Sequence, residues 1–325
     1  MAFLEIKLQP TSPWRAGHRT GDRERVDAVY HSDALYSAVT HAMSSLGWLE
    51  EWLDATARAE MGSFVRFSSL FPVVGTGANG VRLIPPPRTA WPPTASGKLY
   101  AKGARLVPLE VALNGIKDES RWTVDGATEC LLPAGATAPF TVSMRSAAAV
   151  DRLTGNVEPH RTACLEFAAG AGWWGLIEVS DDWEARVKSA LRLLADSGFG
   201  GERSLGWGRA AEPEFSDASS LFPANNANAS WLLSLYSPHA DDAVDWAGGN
   251  YSAIARGGWT DSRAGAARKK HVRMIEEGSV LAATALRGRA VDVAPDGFPH
   301  PAYRSGFALA VPLPPAEAVV IKGEA

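Results

Sequence analysis

The sequence predicts an α+β protein, and three features of residues 1–218 carry this prediction. Residues 2–8 alternate polar and apolar side chains, as a strand with one buried face does. Residues 32–46 and 181–194 repeat their apolar side chains at the spacing of amphipathic helices. With the strands expected between and after these helices, the order is β-α-β-β-α-β, which is that of a ferredoxin-like or RRM-like unit.

The first helix follows a long polar loop. Residues 9–25 of this loop contain Trp14 and several basic side chains. They predict either a solvated segment or a basic arm that can lie along a phosphate backbone. Ser32 or Asp33 is the expected N-cap of the helix, and Gly47 is its expected end.

The segments between the two helices are harder to assign. A second short helix is expected at 49–61 and a broken strand at 64–74. Residues 75–145 begin with many glycines and prolines, and we interpret them as an insertion that projects from the first domain. Residues 162–168 and 173–179 are joined by Ala-Gly-Ala-Gly, which predicts a hairpin.

A smaller second domain is predicted at 229–316, after a polar linker. Its strands are expected near 231–236, 274–281 and 307–311, and a helix is expected at 241–247. This domain would repeat the first unit in a reduced form.

Residues 196–209 hold five glycines between the second helix and a strand expected from about Gly208. Glycine allows positive φ and lets another chain segment come close. A phosphate-binding P-loop has the reverse order, strand to loop to helix, and ends in Gly-Lys-Ser/Thr, so this loop does not match it. An anion bound here would be held by turn N–H groups and by Arg203.

The composition limits the classes of function. A formal net charge of −4 argues against a free-standing, charge-driven nucleic-acid binder, but it allows a subunit that holds a short nucleic acid locally. Two cysteines and scattered histidines give no zinc-type spacing, so neither a metal nor a cofactor is expected. The first residues resemble a strand rather than a signal peptide, and no apolar run is long enough for a membrane span, so a cytoplasmic protein is expected.

His31, Ser32 and Asp33 are the residue types of a serine-hydrolase triad, but they are contiguous at a helix start. Adjacent residues there cannot adopt the nucleophile–base–orienter geometry. Two interpretations remain open: a helix cap with a packed histidine, or a contact to an anion or RNA at the helix N-terminus.

Motifs along nearly the whole chain resemble those of one protein family. They lie at 31–38, 68–72, 83–87, 150–155, 198–209, 234–238, 256–259 and 268–279. On these residues the chain resembles the RAMP superfamily of CRISPR interference, and most of all the fourth subunit of the type III-A Csm complex. The family often has Lys-Arg where this chain has Glu202-Arg203, which leaves Arg203 as the main cation of the loop.

The resemblance implies two ferredoxin-like domains, with a projecting thumb inside 75–145. It also implies a non-catalytic subunit that binds the 5′ tag of the CRISPR RNA and contacts two proteins, the large polymerase-like subunit and the backbone RAMP subunit. The residues expected to bind RNA are His18, Arg19, His31, Ser32, Asp33, Arg152, Phe199, Gly200, Gly201, Arg203, Ser204, Arg268, Lys269 and Lys270.

Two other functions are considered. A RAMP endoribonuclease that processes precursor CRISPR RNA would use His31 or His18 as general acid or base, although no second titrating partner is evident at a suitable spacing. A small-molecule enzyme that binds a nucleotide at the glycine-rich loop would lack both the P-loop lysine and a dinucleotide fingerprint.

Overall fold

The computed structural model describes residues 1–17, 22–75, 80–89, 103–116, 118–222, 228–260 and 267–313. The helices are α1 (Ser32–Ser45), α2 (Leu49–Ala55), α3 (Leu109–Asn114) and α4 (Asp181–Ser197), with short 3-10 segments at Glu119–Arg121 and Arg203–Leu205. The strands up to the linker are β1 (Ala2–Leu8), β2 (Val65–Phe67), β3 (Phe71–Val74), β4 (Val81–Ile84), β5 (Val107–Pro108), β6 (Trp122–Asp125), β7 (Cys130–Pro133), β8 (Phe140–Val150), β9 (Val157–Phe167), β10 (Gly172–Val179) and β11 (Glu214–Asp217). After the linker come β12 (Ala229–Leu232), β13 (Asp245–Asn250), β14 (Ala253–Arg256), β15 (Val272–Ile275), β16 (Val280–Ala282), β17 (Gly288–Asp292), β18 (Tyr303–Phe307) and β19 (Ala310–Leu313).

The main sheet runs in the order β11-β1-β10-β3-β4-β5, and β2 also pairs with β10. Strand β1 has the predicted bounds, and it pairs antiparallel with β10 from Ala2 opposite Val179 to Leu8 opposite Trp173. The predicted helices α1 and α4 are also confirmed, with ends that differ by one and three residues from the expectation. Local periodicity was therefore sufficient to predict this central strand and the two helices.

Both faces of the main sheet are buried. Alternate residues of β1 and β10, such as Ile6 and Ile177, pack against α1 and α4 in one core cluster. On the opposite face, Trp174 and Leu176 pack in a second cluster that includes Trp231 of β12. The residues after the linker thus cover one face of the sheet while the helices cover the other.

The chain after the linker is built from strands. A four-stranded sheet has the order β13-β16-β12-β19, and β14-β15 and β17-β18 form two further antiparallel pairs. Residues 228–260 and 267–313 contain no helix, so the predicted helix at 241–247 is wrong. The Asp242 carboxylate instead accepts hydrogen bonds from the backbone N–H groups of His239, Arg287 and Gly288 at 2.8–3.0 Å. An aspartate that bonds to local and distant backbone in this way competes with helix formation.

The predicted hairpin of 162–168 with 173–179 is also wrong. Strand β9 pairs with β8 along its whole length, whereas β10 pairs with β1 in the main sheet. The β8–β9 hairpin extends into solvent, because residues 144–159 at its distal end are exposed. Within the predicted insertion 75–145, β4 joins the main sheet beside β3, so this stretch does not project as a whole.

None of the helices that the structure describes has both the length and the apolar run needed to cross a bilayer.

Candidate functional site

The glycine-rich loop folds back on itself, and this close approach explains two of its glycines. A Cβ atom on Gly208 would lie 1.9 Å from the carbonyl oxygen of Phe199, and φ at Gly208 is +80°. At the end of α4, Gly198 has φ of +85°, and its Cβ would lie 2.5 Å from the carbonyl oxygen of Trp207. Only glycine fits where two backbones come this close at positive φ.

The next two glycines accommodate the segment that precedes α1. A Cβ on Gly200 would lie 2.8 Å from the carbonyl oxygen of Arg15, and one on Gly201 would lie 2.8 Å from the Arg15 Cδ atom. The Gly201 N–H donates to the Arg15 carbonyl at 3.0 Å. Several loop N–H groups thus bind the protein itself, so a ligand would have to rely on side chains more than the sequence suggested.

Arg15 and Trp14 fix the described part of the arm 9–25 to the body of the protein. The Arg15 guanidinium donates to the carbonyl oxygens of Arg23 and Ala163, each at 2.8 Å, and to that of Asp22 at 3.0 Å. The Trp14 ring is fully buried, and its Nε1–H donates to the Arg209 carbonyl at 3.1 Å. His18 and Arg19, two predicted RNA-binding residues, lie outside the described residues.

Phe199 is a core residue. Its ring is 1% exposed and makes edge contacts to Trp14 and Tyr30 at centroid distances of 4.6 and 5.2 Å. This corrects the expectation that Phe199 offers a face on which a base can stack, because the ring is buried among other aromatic rings. Trp207 is also buried, at 8% exposure.

The segment His31–Asp33 is buried at the junction between the main sheet and the chain after the linker. His31 Nδ1 lies 2.9 Å from Glu277 Oε1, and Ser69 donates a hydrogen bond to the same carboxylate oxygen. The Ser32 hydroxyl accepts from the Leu235 N–H at 3.0 Å. Each side chain of the predicted motif therefore has a protein partner remote in sequence, and none caps α1 through a side-chain bond.

Asp33 is the centre of a buried ionic cluster. Its carboxylate accepts two hydrogen bonds from Arg256, at 3.0 and 2.9 Å, and it also pairs with Arg304. Burial alone would raise the pKa of Asp33, but the two guanidinium groups outweigh it and hold the pKa well below the ordinary value.

Charge also determines the protonation state of His31. Burial lowers the pKa of His31, but the carboxylates of Glu277 and Asp27 outweigh it and raise the pKa to about 10. His31 Nε2 lies 3.4 Å from Asp27 Oδ2, which is an ionic contact. His31 is therefore a structural cation at neutral pH.

A cleft of about 300 Å³ lies between the glycine-rich loop, the first half of α1 and the segment after β14. Its described lining carries five lysine or arginine residues, Arg15, Arg203, Arg256, Lys269 and Arg304, and one acidic residue, Asp33. Because Asp33 is paired with Arg256 and Arg304, the cleft is positively charged in a chain whose net charge is −4. This is the electrostatic character expected of an anion-binding site.

The structure brings together part of the predicted set. Gly200, Gly201, Arg203 and Lys269 line the cleft, with Asp33 and Phe199 in its wall. Ser204 is exposed beside Arg203. Arg268 and Lys270 are exposed beyond the lining, where Lys270 pairs with Asp296 at 2.7 Å. Arg152 lies apart from the cleft lining, in the exposed turn of the β8–β9 hairpin.

Sequence reasoning did not place Trp259, Arg15 or Arg304 in the site. Trp259 lines the cleft and is 68% exposed, more than any other tryptophan that the structure describes. The signal that could have identified it is the run Gly257-Gly258-Trp259 just before a basic segment, because a tryptophan after two glycines has little neighbouring side-chain bulk to cover it.

Comparisons with known proteins agree with this architecture. Residues 225–313 match the family model of the CRISPR Csm4 C-terminal domain. No curated protein sequence matches the chain.

Solved structures with the same fold come from type III-A CRISPR complexes. A chain of the "Csm3-Csm4 subcomplex in the type III-A CRISPR-Cas interference complex" aligns with a TM-score of 0.64 at 17% identity, over 96% of this chain and all of that one. A chain of the Csm1–Csm4 cassette in complex with cA4 aligns with a TM-score of 0.59 at 18% identity, over 96% and 98%. Both findings agree with the resemblance inferred from the sequence: residues 225–313 match the model of the CRISPR Csm4 C-terminal domain, and the chain has the fold of chains found in type III-A Csm complexes.

Proposed function

We propose that this protein is a non-catalytic subunit of a type III CRISPR effector complex and that it holds the 5′ tag of the CRISPR RNA. The observation that carries the proposal is the composition of the cleft. The Csm4 C-terminal domain contributes Arg256, Trp259, Lys269 and Arg304 to it, and the glycine-rich loop contributes Arg203. The two regions that carry the family motifs thus meet at one positively charged surface.

The chemistry of the cleft suits a sugar-phosphate backbone. Arg203 is exposed at the mouth of the cleft, and Lys269 lines its other side. Gly200 and Gly201 also line the cleft, where they pack against Arg15 and help to shape its wall. Ser204, Arg268 and Lys270 extend the polar surface on either side and would guide the RNA out of the cleft.

His31, Ser32 and Asp33 support this surface from below. They are buried, and Asp33 fixes the positions of the two guanidinium groups that form part of the cleft wall. The role of Asp33 in RNA binding is thus the positioning of Arg256 and Arg304 rather than direct contact, while Ser32 accepts from the Leu235 N–H. His31 is held by Glu277, which belongs to the same C-terminal domain.

We also propose that the protein contacts the large polymerase-like subunit and the backbone RAMP subunit. Chains of the same fold are found in Csm1–Csm4 and Csm3–Csm4 assemblies, which supports both partners. The β8–β9 hairpin is the best candidate for the thumb, which moves the thumb from the expected stretch 75–145 to a hairpin that lies mostly after it. Val150, Leu153 and Val157 near its tip are 59–97% exposed, and exposed apolar side chains clustered in this way favour contact with a partner.

The first domain, residues 1–218, is proposed to be ferredoxin-like. The order β11-β1-β10 followed by β2 and β3 places the first strand beside the last and the third, with α1 and α4 on one face, and this supports the assignment. We propose residues 229–316 as the second domain, in which β12, β16 and β19 would retain the sheet of a ferredoxin-like unit whose helices have been lost.

The absence of catalysis is part of the proposal, and the position of His31 supports it. His31 contacts Glu277 and Asp27 and lines a separate cavity of about 490 Å³, where Glu129 pairs with Arg105 and Glu276 pairs with Arg88. A buried imidazolium with two carboxylate partners is poorly suited to exchange protons with a substrate. We expect no metal-independent cleavage when the purified protein is incubated with repeat-containing RNA. Cleavage that is lost in His31→Ala would refute this part.

Co-purification tests the proposal directly. The tagged protein, expressed with the other subunits and a CRISPR locus, should retain a short RNA and a large partner protein. Arg203→Glu should reduce the RNA recovered by at least about tenfold, because it replaces an attraction to phosphate by a repulsion. Arg121→Glu, at an exposed site away from the cleft, is the matched control and should leave recovery unchanged. Normal recovery with Arg203→Glu would remove Arg203 from the site.

A further inference from the structure

We propose that Trp259 is a stacking platform for one unpaired base of the bound RNA, an inference that rests on the proposed function. Its ring is 68% exposed, and among the described residues it makes no aromatic stacking contact. Trp246, the next most exposed tryptophan at 38%, packs edge-on against Tyr251 at 5.2 Å. A large apolar ring left open inside a cationic cleft is a cost to the isolated protein that a stacked ligand would offset.

The backbone around Trp259 is held in place before any ligand binds. The Lys269 N–H donates to the Gly258 carbonyl at 2.9 Å, and the Thr260 N–H donates to the Ala267 carbonyl at 2.8 Å. On the other side, Arg304 donates to the Gly257 carbonyl at 2.7 Å. A platform fixed on both sides loses little conformational freedom when a base stacks on it, which favours binding.

The two preceding glycines set the direction of the ring. Gly257 lies against the ring of His271, since a Cβ there would be 2.7 Å from the His271 Cε1 atom. Gly258 has φ of +144°, a conformation that other residues rarely adopt. The chain can therefore lie flat on His271 and turn, which leaves the Trp259 side chain over the cleft.

The surroundings of Trp259 favour RNA over a protein partner. The cleft that Trp259 lines carries five lysine or arginine side chains, whereas the core of a protein interface is depleted of charged residues. Cations for the phosphates and one ring for a base are the combination by which proteins hold single-stranded nucleic acids. Since every base has a π-face, the platform would select an unstacked base rather than a particular sequence.

The test compares Trp259→Ala and Trp259→Phe in the full chain, with Trp246→Ala as the matched control. Affinity is measured by fluorescence anisotropy for a labelled single-stranded RNA and for an oligomer of the same length made of abasic ribose phosphates. We expect Trp259→Ala to weaken binding of the RNA by roughly 5- to 150-fold and Trp259→Phe to restore most of it, because a phenyl ring also stacks. The abasic oligomer should bind wild type and Trp259→Ala equally, and the salt dependence of RNA binding should not change.

Every other outcome overturns the Trp259 proposal, and each one also shows whether the proposed function still stands. If Trp259→Ala binds RNA like the wild type while Arg203→Glu does not, the platform is refuted and the proposed function stands. An equal loss on the abasic oligomer would mean that Trp259 contacts the backbone instead. Loss of partner proteins with unchanged RNA affinity would assign Trp259 to a protein interface. If the wild type binds neither oligomer, alone or with its partners, both this inference and the proposed function fail.

Discussion

Replacing Asp33 by asparagine should destabilise the protein strongly, because it leaves two guanidinium groups without a counter-charge. The Asp33 side chain is fully buried, and those of Arg256 and Arg304 are only 10% and 9% exposed. Removing one partner from a buried ion pair costs about 3–5 kcal/mol of unfolding free energy. The isosteric amide keeps the volume and can accept one hydrogen bond, so the loss would come from charge rather than from packing.

Thermal unfolding followed by circular dichroism measures this effect. A loss of about 3–5 kcal/mol corresponds to a fall in Tm of roughly 6–20 °C, at about 2–4 °C per kcal/mol. Asp54→Asn is the control, because Asp54 pairs with Arg58 while its side chain is 67% exposed, and such pairs contribute about 1 kcal/mol or less. The variant should also bind RNA more weakly, since Arg256 and Arg304 lose their fixed positions in the cleft.

One result would refute the reasoning. If Asp33→Asn and Asp54→Asn lower Tm by the same small amount, the cluster does not hold the two parts of the chain together. A double variant that combines Asp33→Asn with Arg256→Gln tests whether the two residues act as a pair. If Asp33 and Arg256 act as a pair, the double variant should lose less stability than the sum of the two single changes.

Two further predictions concern the same region. The pKa of His31 is raised from 6.5 to about 10 in the fold, so its stabilising contribution is complete below about pH 6.5 and is lost as pH rises through 10. Urea unfolding should therefore show that the difference in free energy of unfolding between wild type and His31→Gln shrinks over that range. A difference that does not change with pH would contradict this prediction. Gly208→Ala should cost at least about 2 kcal/mol more than Gly206→Ala, because both have φ near +80° but only Gly208 would meet the Phe199 carbonyl. Equal losses in denaturant unfolding would show that the loop can open to admit the methyl group.

The periodicity of side chains along a single segment was enough to predict some of the helices and strands. Strand β1 and the helices α1 and α4 follow from side-chain periodicity, because each buries a regular face. The pairing of β9 could not be predicted in this way. It pairs with β8, and the choice of partner depends on the whole sheet rather than on the sequence of the strand itself.

Contacts between residues far apart in the sequence were also missed in the candidate site. Arg203, Gly200 and Gly201 were found because the loop is recognisable by its glycines, and they line the cleft. Asp33 was predicted to contact RNA. Its actual partners, Arg256 and Arg304, were missed because they lie 223 and 271 residues away in the chain. A carboxylate with distant counter-ions cannot be told from an exposed one by sequence spacing alone.

The ionic cluster has a consequence for how this protein can change over evolutionary time. Asp33 lies in the first turn of the first helix, whereas Arg256 and Arg304 lie after the linker, so the two parts of the chain share one charge balance. A homologue that replaces Asp33 by a neutral residue must also replace both arginines, and positions 33, 256 and 304 should therefore covary. For the same reason, chimaeras that exchange the chain after the linker between distant homologues should assemble only when all three positions are transferred together.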